Sequence, residues 1–183
     1  MIDPRYRYSF IGFFLTLVVG GAHAGDAVII WPSGWQVEEL GATQPAAGQP
    51  SPQSRQRAAK NDEAGNPVMV MELTESRLQS GHQVNVEGVL LEMRKAVQVN
   101  FARSGFQSVC TRIHATQLSE LPAMETSCTI TQNGVHVMTQ TLVAAATADT
   151  AWSLSYAGSA AGYAATSDEA MQIRNTLRLG GAQ

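Results

Sequence analysis

The chain has 183 residues, 44% of them hydrophobic and 15% charged, with a net charge of −3. The balance is mildly acidic and no Lys/Arg cluster stands out, which argues against nucleic acid or an anionic lipid surface as the main partner. The densest basic stretch, Arg55–Lys60, reads as the solvated face of an alternating strand.

Residues 1–24 have the three parts of an export leader. Arg5 and Arg7 give a positive start, Phe10–Val19 (FIGFFLTLVV) is an apolar run, and Ala22-His23-Ala24 puts small residues at a cleavage site before Gly25. The run is too short for a bilayer, which takes about 20 apolar residues. Cleavage leaves 159 residues with a net charge of −4, a single domain over 25–183. A chain of this length buries about 70% of its unfolded surface, so its core needs no metal or disulfide. The expected location is the periplasm or the medium. No cysteine comes just after the leader, where Gly25 stands, which argues against a lipid anchor.

Residues 26–32 and 35–40 read as two short strands joined by Pro32-Ser33-Gly34. Residues 41–53 carry Pro45, Pro50 and Pro52 without a charge and read as a loop, a place where partners are often contacted. Strands follow at 54–62 and 67–74, turned by Glu63-Ala64-Gly65-Asn66. In the second, Val68 and Val70 alternate with Met69, Met71 and Leu73. Both faces are apolar, which predicts a central strand covered on both sides.

Val86, Leu90, Met93, Val97 and Phe101 recur at helical spacing, predicting a helix over 84–103 that Ser104-Gly105 ends. Four strands are then predicted, at 106–114, 124–132, 134–146 and 150–157. Asn133-Gly134 is a hairpin turn and 147–149 another. Residues 158–165 (GSAAGYAA) read as a small-residue connection. Thr166 and Glu169 then match a capping box, opening a helix with Ala170, Ile173 and Leu177 on its apolar stripe and Gly180-Gly181 at its end. Strands linked by hairpins and two separate helices predict an α+β fold: a largely antiparallel sheet flanked by a long central helix and a C-terminal helix.

Cys110 and Cys128 each lie in a strand-like run, with a Leu-Pro turn between them. In an oxidising compartment the pair reads as a disulfide. Two buried thiols, or metal and redox chemistry, are the alternatives, the redox one weakened by the lack of a CxxC.

The WPSGW opening (31–35), the helix from about 84 and the Leu118 and Leu121-Pro-Ala segment together resemble the PsbP-like fold group. The Leu154-Ser-Tyr156 strand, Tyr163 and a final helix ending at Leu177 fit the same pattern, so the resemblance covers most of 28–178. The group includes the DcrB-like bacterial lipoproteins and uncharacterised secreted proteobacterial families. The resemblance implies the sheet and helices above. It also implies a non-catalytic role as adaptor, assembly factor or chaperone, with no shared active site to transfer.

The residues agree with that implication. There is no nucleophile elbow, Walker A, HExxH or GxGxxG, and nothing selects a triad from His82, His114 and His136. The expected function is a non-enzymatic, exported domain that binds another envelope or secreted protein, assists assembly, or neutralises a partner as an immunity protein does, with no cofactor. Two alternatives stand beside it. One is a binder of a small ligand or copper. Trp31, Trp35, Trp152 and Tyr156 would form its aromatic wall, or Met69, Met71, His136 and Met138 would supply soft-metal ligands spaced two apart on strands. Against these, Met fills irregular cores and Trp plugs core ends. The other alternative is a hydrolase without a recognisable motif.

Overall fold

The computed structural model describes residues 27–43, 53–81 and 83–180. The leader and cleavage site expected from the sequence lie outside the described residues, as do His82 and most of the proline-rich loop. The ends of that loop are sheet: β1 spans Trp35–Thr43 and β2 Gln53–Asn61. Then come β3 (Pro67–Arg77), α1 (Val86–Arg103), β4 (Gln107–Cys110), β5 (His114–Leu118), β6 (Leu121–Gln132), β7 (Val135–Ala146), β8 (Thr150–Ser159) and α2 (Ala160–Thr176). The strands form one sheet in the order β1-β2-β3-β8-β7-β6-β4, with β5 also paired to β6, and every pairing is antiparallel. The α+β architecture expected from the sequence is the one observed.

Several local expectations change. The predicted 26–32 strand is a single bridge, Val28 to Arg178, because this segment meets the chain leaving α2 rather than the sheet. The predicted 106–114 strand is split into β4 and the start of β5, both lying along β6. Thr111 causes the break: its hydroxyl accepts from the Ser127 amide at 3.0 Å, and the Thr126 hydroxyl donates to its carbonyl at 2.9 Å. A side chain thus takes the place of a ladder partner. The capping box is not one. The N-cap of α2 is Ser159, and Thr166 is buried inside the helix, where its hydroxyl donates to the Gly162 carbonyl at 2.6 Å. The helix ends at Thr176, short of the glycine pair.

The two helices lie on opposite faces of the sheet and are offset from each other. Leu142 and Ala144 of β7 pack on Leu90 of α1, while Val143 and Ala145 join the cluster beneath α2. The α2 cluster holds Met69, Met71, Leu73, Leu154 and Ile173, each burial contributing roughly 1.5–3 kcal/mol. α1 sits over β4, β6 and β7; α2 sits over β3, β8 and β7. β3 is therefore central but covered by a helix on one face only. Met69, Met71 and Leu73 are buried, whereas Val68 and Val70 stay half-buried because α1 lies too far along the sheet to reach them.

Cys110 and Cys128 form a disulfide between directly paired residues of β4 and β6. It closes a sequence separation of 18 and ties down an edge strand of four residues. Cys110→Ser and Cys128→Ser are each expected to lower stability by about 3 kcal/mol, from the entropy of a loop of this size. The double variant should lose no more than either single one. Urea denaturation of the three variants checks this, and additive losses would exclude a shared bond.

Candidate functional site

The offset of the helices leaves the α1 side of β1, β2, β3 and β8 bare among the described residues. The register decides what shows there. One row across the strands reads Glu38, Arg57, Glu72 and Ser155. The charges alternate, and Arg55 adds a fork onto Glu72, its Nη2 and Nε donating to Oε1 at 2.6 and 3.2 Å. Beside this polar strip lie short side chains: Ala59, Val70, Ala157, Ser153 and Ser155, all half-buried. A shallow depression of about 480 Å³ opens at the β1–β3 end, against Ala59, Val70 and Pro67.

α1 forms one border. Arg94 and Gln98 reach the Thr111 and Ser108 carbonyls, which fixes the β4 side of this helix. By helical period its opposite flank carries Val89 and Met93, which line a hollow of about 540 Å³ with Val84 and Gly88. The described face is shallow: Arg55 and Glu72 form an ion pair, while Glu38 and Arg57 are exposed. Such a surface suits contact with a macromolecule better than enclosure of a small substrate.

The aromatic residues singled out from the sequence lie on the other side, in the core beneath α2. Trp31 and Trp35 pack with ring centroids 5.7 Å apart, and the Trp35 Nε1 donates to Glu169 at 3.1 Å. Trp152 and Tyr156 are each 2% exposed. The Trp152 Nε1 donates to Glu75 at 3.4 Å. The Tyr156 hydroxyl donates to the Met171 sulfur at 3.4 Å, and its ring stacks on Tyr163 at 6.0 Å. Burial, reinforced by Tyr163, pushes the Tyr156 phenol up to about 12. These four residues share one core.

The four soft-metal candidates are not brought together. Met69 and Met71 are buried under α2, while Met138 points to the opposite face by strand alternation. The exposed His136 ring bonds the Met138 carbonyl and the Thr139 hydroxyl instead, at 3.1 and 2.9 Å. Among the described residues no three His, Cys, Asp or Glu side chains are placed to hold a metal ion.

Two polar anchors escaped sequence reasoning. Glu169 on α2 binds Lys60 of β2 and Trp35 of β1, and the Lys60 hydrogen bond holds its carboxyl below the usual carboxylate range. Arg174 is 3% exposed and binds Glu125, Thr116 and the Gln117 carbonyl. The signal for Arg174 was present: it falls at i+4 from Ala170, inside the stripe that Ile173 and Leu177 complete.

Sheet order, a helix on each face and the amino-terminal segment closing on the end of α2 together define an α+β domain of the PsbP-like fold. The solution structure of cyanobacterial PsbP (CyanoP) from Synechocystis sp. PCC 6803 is similar, with a TM-score of 0.57 at 8% identity over 90% of this chain and 98% of that one. The chain belongs to the family described as "Domain of unknown function (DUF4946)", which matches residues 26–179. No curated protein matches it in sequence. Among the described residues no helix is long and apolar enough to cross a membrane.

Proposed function

We propose that this protein is a non-enzymatic, exported adaptor or assembly domain of the bacterial envelope, and that it binds another protein through the bare half of its sheet. The observation that carries the reading is the offset of α1 and α2. It leaves four strands presenting alternating charges and short side chains, framed by the apolar flank of α1. Export rests on the leader-like residues 1–24, with processing before Gly25.

Site-specific photocrosslinking in the native envelope tests it. A photoreactive residue at Ser153 or Val70 should give one discrete adduct, and the same residue at Gln172, exposed on α2, should give none. Reversing the charge of Arg57 should weaken the adduct. Adducts equally strong from Gln172, or none from the sheet, would remove this face from consideration.

A further inference from the structure

The two borders of the sheet are finished differently. At one, β4 has four residues, a disulfide ties it to β6, and Gln98 and Arg94 of α1 reach the Ser108 and Thr111 carbonyls. At the other, β1 has nine residues and pairs with β2 alone. Among the described residues its main chain finds one partner beyond β2, the Pro32 carbonyl at 3.4 Å from the Trp35 amide. A border strand is a template for another chain unless it is short, bulged, covered, or guarded by Lys or Pro. The register of β1 runs evenly from Trp35 to Leu40 and shifts only after it. That stretch, about 20 Å of strand, contains no Lys, Arg or Pro.

The side chains along this border complement one kind of strand. On the α1 side, Glu38, Arg57 and Glu72 alternate in sign across three strands, and Glu38 is exposed at the end of the row. A further strand continues that row with a cation, because opposite charges attract across a ladder and like charges repel. On the α2 side, Val37 is 46% exposed while Ala58, its partner on β2, is buried. An apolar side chain opposite Val37 would extend that cover by one strand. A second copy of this chain fits less well. Two β1 strands paired through this stretch bring two Glu38 carboxylates onto one face, between molecules that each carry a net negative charge.

We infer that the open border of β1 receives an extended segment of the partner protein by strand addition, and that this segment alternates basic and apolar residues, with Lys or Arg opposite Glu38 and an apolar side chain opposite Val37. Main-chain hydrogen bonds supply the affinity and the alternate side chains the selection. The inference rests on the protein-binding reading of the same half-sheet and names the partner's chemistry.

Residue-resolved hydrogen exchange tests it on the protein purified from its own cells, with a peptide of four Lys-Val repeats as the probe. Without peptide, alternate amides of Trp35–Leu40 should exchange fast; with it they should slow about tenfold, while β4 stays unchanged. Two further peptides carry N-methyl groups, one on its Lys amides and the other on its Val amides. Methylation blocks one edge of an extended chain and leaves its charge, so the two should differ about tenfold in the protection they give. Glu38→Lys should weaken the Lys-Val peptide about fivefold and strengthen a Glu-Val peptide by a similar factor. Equal protection by the two methylated peptides, or no change of preference in Glu38→Lys, overturns the inference. So does slow exchange of every β1 amide before peptide is added, which would mean that the border is already occupied, by a second copy where that protection rises with protein concentration. Photocrosslinks read the face separately. Adducts from Ser153 and Val70 without protection of β1 defeat strand addition alone, whereas the absence of both defeats the protein-binding reading as well.

Discussion

Replacing Arg174 by alanine is expected to lower stability by about 3–5 kcal/mol, one of the two largest effects of any substitution considered for this protein. Arg174 is 3% exposed, and its two terminal nitrogens spread over three oxygen acceptors: Glu125 at 2.6 Å, the Thr116 hydroxyl at 2.8 Å and the Gln117 carbonyl at 2.6 Å. These belong to β5 and β6, the strands α2 does not cover. One side chain therefore fastens the helix to the far half of the sheet. Truncation leaves the mostly buried Glu125 carboxylate, the Gln117 carbonyl and the Thr116 hydroxyl without their donor, and the unpaired Glu125 charge supplies most of the loss. Arg174→Lys should recover only part of it, because an ammonium on a flexible stem cannot reproduce the planar fork. Arg174→Met with Glu125→Leu should cost less than Arg174→Ala alone, since no charge is then left unpaired. Urea denaturation of the variants measures all three. A loss below about 1 kcal/mol for alanine would mean that the fork is worth no more than an exposed ion pair.

What the sequence made legible follows from which signals are periodic. Alternation placed Met69, Met71 and Leu73 on the buried face of β3, and helical spacing placed Leu90 and its neighbours on α1. Asn133 and Gly134 take positive φ, 50° and 78°, as the hairpin required. The cysteines pair because their strands do. What failed depended on tertiary position. An apolar Val68 and Val70 suggested cover on both faces, but a strand's own pattern cannot say how far along the sheet a helix will lie. Thr166 and Glu169 have cap spacing, yet Glu169 is committed to Trp35 and Lys60, partners more than 100 residues away. The aromatic residues illustrate the same limit. Composition marks them as candidates for a binding wall or for core plugs, and only the position of α2 separates the two. The bare half-sheet, the candidate site itself, has no motif at all. It exists because one helix stops short of it.

Gly162→Ala sets two rules against each other. Helix propensity favours alanine over glycine by about 1 kcal/mol in a helix interior, and the small-residue run 158–165 invites that change. The packing reverses the sign. A Cβ at Gly162 would lie 2.3 Å from the Val68 carbonyl oxygen and 2.8 Å from the Ser159 hydroxyl that caps α2. Gly158 meets the same carbonyl, at 2.5 Å for an added Cβ, so the Val68 oxygen sits between two glycines at the junction of β8 and α2. The obstacle is backbone, which cannot turn aside as a side chain does, and the cap bond from the Gly162 amide to Ser159 would have to open. The expected result is a net loss of about 3 kcal/mol, at the upper end for overpacking. Ala161→Gly, on the exposed side of the same turn, should lose only the propensity term of about 1 kcal/mol. Thermal melting of the two variants decides between the rules, and a stabilised Gly162→Ala would show that α2 can lift from β3 at no cost. The consequence reaches the candidate site as well. Val68 and Val70 carry the opposite face of that strand, so pushing the Val68 carbonyl away from α2 displaces the bare surface itself. A folded Gly162→Ala protein should therefore also lose the photocrosslink from Val70.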